Sequence, residues 1–187
     1  MDAEQSLTSQ LLIAMPGMED PNFSSTVTLI CEHNDDGALG IVINRPLSIN
    51  LGGLFEQLSL DDPDPNAASH PVLMGGPVGP ERGFVLHEPV ASYENTLAVS
   101  SDIQLTLSRD VLDAMAKGHG PGKTLVALGY AGWEPGQLED EMMANAWLNV
   151  SATPDIVFDL PFKDRWHAAA GALGIDMSRL SPDAGHA

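Results

Sequence analysis

Positively charged side chains are scarce in this chain of 187 residues, where eight Lys and Arg oppose 26 Asp and Glu and the formal net charge is −18. The few basic residues are scattered between Arg45 and Arg179 and form no cluster along the chain. A molecule with this charge balance repels polyanions, which include DNA, RNA and anionic membrane surfaces. The composition therefore predicts no direct contact with nucleic acid and none with a membrane.

Cysteine is also scarce, because Cys31 is the only one and an intrachain disulfide is impossible. The apolar run from Leu11 to Met15 falls far short of the ~20 residues that span a bilayer. The first ten residues are acidic and polar, whereas a secretory signal needs a basic start and a longer apolar segment. We therefore expect a protein of the reducing cytoplasm.

Hydrophobic periodicity predicts short strands that alternate with a few amphipathic helices. Strands are predicted at 10–14, 26–33, 38–44, 72–74, 83–87, 97–107 (one or two strands), 125–131 and 147–150, and helices at 51–58, 109–117, between 135 and 145, and from 161 to 173. The segment 59–71, rich in Pro and Asp, is predicted to be a loop. Hairpins mixed with helical crossovers indicate one α+β domain, residues 1–187, with a curved and mostly antiparallel sheet. The termini, about 1–6 and 181–187, are expected to be flexible.

The segment from Leu128 to Val150 reads as strand, acidic helix, strand, and it contains two of the three Trp. Trp147 follows the helix stop and is predicted to lie in the core. Trp133 follows Gly132, where the first strand is predicted to end, so we expect it to be partly exposed and available to a partner. The carboxylates 139–141 begin the helix and are predicted to form a solvated face that suits the helix dipole.

The last helix carries an apolar stripe that we interpret as core rather than as a ligand site. Its members are Phe162, Trp166, Ala169 and Leu173. Ser108 is predicted to cap the helix that follows it, because a Ser side chain accepts from the first backbone amides of a helix.

Six segments, in order and spacing, resemble the YqgE/AlgH family of uncharacterised bacterial proteins. They are residues 10–23, 29–47, 74–78, 81–87, 108–112 and 128–141. The resemblance implies a single α+β domain with a bifurcated, barrel-like sheet flanked by helices. It implies no established enzyme activity. We predict no cofactor. One branch of the family is named for a regulatory role in alginate synthesis, which suggests an indirect link to transcription.

The segment from Gly118 to Thr124, GHGPGKT, invites a phosphate-loop interpretation that the sequence does not support. The position that requires the first Gly of that motif is Lys117. The predicted order is also helix, loop, strand, whereas phosphate binding needs a helix that starts after the loop. We interpret the segment as a Gly-rich turn.

Cys31 and His33 lie two apart on a predicted strand, so they are expected to share one face and could supply two metal ligands. His87, Glu88 or His119 would have to complete such a site. The alternative is a buried Cys beside a His at the strand end, and we predict no metal. No G-x-S-x-G segment indicates a nucleophilic serine.

Polar and Gly-rich strand ends are the remaining candidates for a ligand or partner site. They are Asn44, Arg45, Gly75, Gly76, Arg82, Tyr130, Gly132 and Trp133. The alternative for Arg45 and Arg82 is salt-bridged support in a very acidic protein. Our leading hypothesis is a non-catalytic accessory or regulatory protein that binds a partner or small ligand. The alternative is an enzyme of unknown chemistry with a cleft near Arg45, Arg82 and His87.

Overall fold

A computed structural model describes residues 5–90 and 93–180 of the chain. The strands in these ranges are β1 (Gln10–Ala14), β2 (Val27–Asn34), β3 (Gly37–Val42), β4 (Pro46–Asn50), β5 (Pro71–Met74), β6 (Val78–His87), β7 (Thr96–Ala98), β8 (Gln104–Thr106), β9 (Thr124–Trp133) and β10 (Trp147–Ser151). The α-helices are α1 (Leu51–Gln57), α2 (Pro65–Ala68), α3 (Asp110–Ala116), α4 (Gln137–Met143) and α5 (Arg165–Gly171). A π-helical turn, Asp155–Asp159, and two short 3-10 turns, Phe162–Asp164 and Met177–Arg179, complete the described elements.

The strands form one curled sheet in the order β10-β1-β2-β3-β9-β6-β8-β7, with β4 and β5 off this path. Every pair is antiparallel except β5 with β9. The expected α+β class, with a single domain and a curved, mostly antiparallel sheet, is confirmed. None of the helices in the described ranges is long and apolar enough to cross a membrane.

The sheet divides beside β9, which pairs with β6 along one edge and with both β3 and β5 along the other. Where β3 ends, Val42 N donates to Gly75 O over 2.8 Å. Gly75 N in turn donates to Leu128 O over 2.8 Å, so the end of β5 enters between β3 and β9. We call this place, residues 42–45, 74–76 and 128–130, the fork.

Three buried clusters surround the sheet, and β9 contributes to all of them because its side chains alternate between faces. Ala127 lies in the first cluster and Tyr130 packs against it. Val126 belongs to the second cluster. Ala131 and Trp133 belong to the third. Gly129 interrupts the regular alternation of β9 with a φ of +79°. After it, Tyr130 faces the first cluster and Ala131 faces the third.

One strand and one α-helix are absent from the predicted order. β4 begins at Pro46, just after the predicted strand 38–44, and it pairs with β5 at its two ends. α2 lies inside the predicted loop 59–71, and the Asp64 carboxylate caps it by accepting from Ala67 N over 3.0 Å. Both elements are too short to show a clear hydrophobic period.

The end of β9 and the start of α3 differ from the predictions. β9 continues through Gly132 to Trp133, because Leu39 and Ala38 of β3 pair with these two residues. The Ser108 cap is wrong, since Arg109 occupies the cap position and makes no capping bond through its side chain. The Ser108 hydroxyl donates instead to Asp110 Oδ1 over 2.5 Å.

The expected stripe on the last helix is correct in part. Phe162 and Trp166 pack against the first buried cluster and Ala169 is buried in it. Leu173 keeps 40% of its surface exposed, because α5 ends at Gly171 and the chain turns away. Of the termini expected to be flexible, residues 1–4 and 181–187 lie outside the described ranges, while the Ser6 hydroxyl donates to His33 O over 3.0 Å.

Candidate binding site at the sheet fork

Ile43, Asn44 and Arg45 fix the backbone just after the end of β3. The Ile43 carbonyl accepts from Arg165 Nη1 over 2.6 Å. The Asn44 amide oxygen accepts from Val27 N over 3.0 Å, and its nitrogen donates to Ser25 O over 2.9 Å. Both polar ends of the Asn44 side chain are therefore engaged with the backbone that precedes and begins β2.

Arg45 serves as a support for the segment before β2. Its Nη1 donates to Pro21 O and Asn22 O, each over 2.7 Å, and its Nη2 donates to Ser24 O over 2.8 Å. Burial lowers the pKa of the guanidinium, an effect that the nearby Asp20 carboxylate opposes. Of the two alternatives posed for this residue, support fits the bonds better, although its partners are carbonyl groups rather than carboxylates.

Gly75 and Gly76 permit a close backbone approach, as predicted, but the group that approaches them is β9. A Cβ on Gly75 would lie 2.4 Å from the Gly129 carbonyl oxygen. A Cβ on Gly76 would lie 2.1 Å from the Tyr130 carbonyl carbon. These separations leave no room for a side chain, so both positions require glycine for the fold itself.

Arg82 differs from Arg45 in every respect that bears on binding. Its side chain is exposed, and its guanidinium carbon lies 5.7 Å from the ring centre of Phe84 and 6.0 Å from that of Tyr130. Within residues 5–90 and 93–180 it forms no hydrogen bond and no ion pair. A cation at these distances from two rings is held electrostatically while its N–H donors still face outward.

Four neighbours share the Arg82 face of the sheet. Val78 is paired with Tyr130 and is 41% exposed. A Cβ on Gly79 would lie 3.1 Å from Arg82 Cδ and 3.7 Å from Tyr130 Cε1, and one on Gly132 would lie 3.4 Å from Tyr130 Cε2. We name this set, Val78, Gly79, Arg82, Tyr130 and Gly132, the Arg82 surface.

Trp133 does not belong to this surface, and the prediction that it is partly exposed is wrong. It is 6% exposed and belongs to the third buried cluster with Trp147, which is 4% exposed and confirms the core prediction for that residue. Phe23 completes the group, with its ring centre 6.2 Å from that of Trp133 and 5.6 Å from that of Trp147. The reason is the continuation of β9, which turns residue 133 to the face opposite Tyr130.

The acidic helix α4 is joined to these indoles, so its carboxylates do not form the fully solvated face that the sequence predicted. Glu141 Oε1 accepts from Trp133 Nε1 over 3.2 Å and from Trp147 Nε1 over 3.1 Å. Glu139 contacts His33 Nε2. Because Leu7 N donates to His33 Nδ1 over 2.9 Å, the ring proton lies on Nε2 and is donated to Glu139. Asp140 is exposed, as expected.

The expectation that Cys31 and His33 share a face is wrong, because a register shift between Ile30 and Glu32 interrupts the alternation of β2. Cys31 points into the first buried cluster, where burial, with a smaller effect from Glu32, raises the pKa of its thiol. His33 lies against α4. No group of three or more His, Cys, Asp or Glu that could hold a metal ion occurs within the described ranges.

The GHGPGKT segment lies between α3 and β9, which is the helix, loop, strand order that the sequence predicted. Its amides are engaged within the chain, since Gly122 N and Lys123 N donate to Glu88 Oε1 over 3.0 and 3.2 Å. Lys123 Nζ lies 3.1 Å from Asp159 Oδ2. The segment is a turn held to Glu88, which directly follows β6, and to Asp159 of the π-helical turn.

The cleft posited for an enzyme near Arg45, Arg82 and His87 is not formed by these residues. His87 has no exposed surface. Its Nδ1 lies 2.8 Å from Glu88 O, so it donates there, and its Nε2 accepts from the Thr106 hydroxyl over 2.7 Å. With both ring nitrogens bonded and Arg45 committed to carbonyl groups, only Arg82 remains open.

Sequence reasoning missed Arg165, which is 2% exposed and lies on the buried side of α5. Besides Ile43 O, it donates from Nε to Leu160 O over 3.0 Å, and its guanidinium lies 4.6 Å from the Phe162 ring centre. Burial lowers its pKa to about 10, against a smaller opposing effect of Asp159. The spacing of three between Phe162 and Arg165 was the available signal, because such pairs are neighbours on a helix.

Comparison with known proteins agrees with this architecture. The model of the AlgH-like family matches residues 11–178. The chain belongs to the AlgH-like family. A UPF0301 protein from Cupriavidus metallidurans is 54% identical over 186 residues, which cover 100% of this chain and 98% of that protein. A UPF0301 protein from Nitrosococcus oceani is 52% identical over 179 residues, or 96% of each chain.

Two solved structures share the fold of this family member. The solution structure of AlgH from Pseudomonas aeruginosa has a TM-score of 0.81 and 49% identity, covering 100% of this chain and 99% of that one. A crystal structure of a protein from Corynebacterium diphtheriae has a TM-score of 0.70 at 19% identity, covering 90% and 87%. The second likeness concerns the fold alone.

Proposed function

We propose that this AlgH-like protein is a non-catalytic accessory protein of the cytoplasm that binds a partner protein through the Arg82 surface. The observation that carries the proposal is the state of Arg82. It is an exposed cation without an ion pair among the described residues, in a chain with 26 acidic side chains. Arginine and tyrosine are, with tryptophan, the residue types enriched at the energetic centres of interfaces.

The neighbours of Arg82 indicate the chemistry of the partner. The Tyr130 ring lies beside the guanidinium, Val78 pairs with Tyr130 and adds exposed apolar surface, and Gly79 and Gly132 leave the approach free of side chains. The guanidinium pairs well with a carboxylate in a two-point arrangement. A segment that carries Asp or Glu next to an apolar side chain fits this surface.

A non-catalytic role agrees with the groups that could perform chemistry. Cys31 is buried with a raised thiol pKa, and His87 has both ring nitrogens bonded. Any influence on transcription would pass through the partner, because the negative charge of the chain opposes contact with DNA.

The test uses immobilised wild-type protein and two Arg variants to capture proteins from an extract of the host, with quantitative mass spectrometry. Arg82→Gln should lose the specific partner by at least about tenfold, since it removes the cation from the surface. The matched control is Arg179→Gln, which removes an arginine that is 87% exposed and paired with Asp176.

A second variant, Val78→Asp, places a carboxylate beside Arg82 and should lose the same partner without removing the guanidinium. Identical sets of captured proteins from wild type, Arg82→Gln and Val78→Asp would contradict the proposal. Loss of the partner from Arg179→Gln as well would also contradict it, because the effect would then follow net charge rather than the Arg82 surface.

A further inference from the structure

A cavity of about 390 Å³ lies between α3 and the segment that precedes α2, on the side of the protein formed by the second buried cluster. Its volume falls in the range of about 300–1,000 Å³ that is typical of small-molecule sites. It shares no residue with the Arg82 surface. The floor is apolar, because Leu60 is half-buried and Ala116 is 7% exposed.

The two walls of the cavity carry opposite charges that are not used elsewhere. Asp61 and Asp62 line the wall formed by the segment before α2. Lys117 lines the wall formed by the end of α3. Within the part of the chain that the structure describes, none of these three side chains forms a hydrogen bond or an ion pair.

The other charged pair of the cavity is already satisfied. Arg109 Nε lies 3.4 Å from Asp113 Oδ1, and Arg109 Nη2 donates to Leu58 O over 2.7 Å. Both residues line the cavity, and the bond from Arg109 to Leu58 O ties the start of α3 to the end of α1. The charges left for a ligand are therefore two carboxylates on one side and one ammonium group on the other.

The wall that carries the carboxylates is held in a fixed and costly conformation. Ser59 and Asp62 adopt backbone φ angles of +58° and +47°, which residues other than Gly seldom take. Leu60 N donates to Phe55 O over 2.9 Å, and Asp64 N donates to Ala116 O over 2.7 Å, so both ends of the wall are fixed. A wall that is ordered before binding lowers the entropic cost of taking up a ligand.

We propose that this cavity binds a short zwitterionic peptide, with the ammonium group at Asp61 and Asp62, the terminal carboxylate at Lys117, and an apolar side chain over Leu60 and Ala116. The ligand must carry both charges because the walls differ in sign. It must also be larger than a single amino acid, because one amino acid would not fill a cavity of about 390 Å³. A dipeptide with apolar side chains satisfies both conditions.

The test is isothermal titration of the wild-type protein with Leu-Leu, its N-acetylated form, its C-terminal amide and free leucine. Leu-Leu should bind, and removing either terminal charge should weaken binding by about fivefold, the value of one partly exposed ion pair. Free leucine should bind more weakly than the dipeptide. No detectable binding of Leu-Leu at millimolar concentration would overturn the proposal, and so would equal binding of all four compounds or tighter binding of free leucine.

Protein variants then assign each end of the ligand to a wall. Lys117→Gln should weaken binding of Leu-Leu by about fivefold and leave binding of the amide unchanged, because the amide no longer has the charge that Lys117 recognises. Asp61→Asn with Asp62→Asn should show the converse with the acetylated form. Lys163→Gln removes an exposed Lys that does not line the cavity and should change nothing. The inference is overturned if amidation still costs fivefold in Lys117→Gln, or if Lys163→Gln weakens binding equally.

Discussion

The two arginines that the sequence singled out as candidates, Arg45 and Arg82, have different partners in the structure. Arg45 donates to three carbonyl groups of the segment 21–24 and so holds Phe23 in place. Arg82 rests on two aromatic rings and keeps its donors open. An exposed arginine is therefore available to a partner only where backbone carbonyls do not already accept from its N–H donors.

Arg45 bonds to the segment 21–24, Phe23 of that segment packs against Trp133 and Trp147, and both indoles bond to Glu141. We call this set of residues the bonded side. Removing either indole should have the largest effect on stability. Trp133→Ala and Trp147→Ala should each cost ~3–5 kcal/mol of the free energy of unfolding, because each leaves a large cavity and removes one of the two indole donors to Glu141 Oε1. Urea unfolding measures both. A Trp133→Ala protein as stable as wild type would restore the partly exposed Trp133 that the sequence predicted.

Gly76 lies in the fork with Arg45, and its substitution tests how closely the strands approach there. Gly76→Ala should cost ~3 kcal/mol, because the new methyl group would lie 2.1 Å from the Tyr130 carbonyl carbon and the two strands would have to separate. Gly83→Ala is the matched control on the neighbouring strand, since nothing lies within 4 Å of its Cβ position. Equal stability of the two variants would show that the close approach at Gly76 is not needed.

Glu141 is the last member of the bonded side, and its substitution should have a smaller effect on stability. Glu141→Gln keeps an acceptor for the two indoles but loses the charge, and should cost ~1 kcal/mol. Its Trp fluorescence should also change, whereas Glu134→Gln, at an exposed position before α4, should leave both signals unaltered. Unchanged stability and fluorescence in Glu141→Gln would confine the bonded side to Arg45 and its loop.

Local patterns predicted most of the fold but only part of the site. The hairpin of β2 and β3 and the strand at Trp147 were recognisable because alternation and turn residues act within a few positions. The extension of β9 through Trp133 was not, because it depends on pairing with Ala38 and Leu39, which lie far away in the chain. The bulge at Cys31, which moves His33 to the other face, likewise has no local signal.

The candidate residues divide by the same rule. Close approach at Gly75 and Gly76 followed from the residue type, but the approaching group, the backbone of β9, is set by the sheet. The difference between Arg45 and Arg82 depends on which backbone carbonyls the fold brings near each guanidinium. The sequence alone therefore does not separate the supporting arginine from the open one.

The most direct test of this account is equilibrium urea unfolding of Arg45→Gln beside Arg82→Gln. Arg45→Gln should lose ~2 kcal/mol, because it removes charged donors from three carbonyl groups. Arg82→Gln should stay within ~0.5 kcal/mol of wild type, since an exposed contact with two rings contributes little to stability. Equal losses in the two variants, or a larger loss in Arg82→Gln, would contradict the assignment of support to Arg45 and of binding to Arg82.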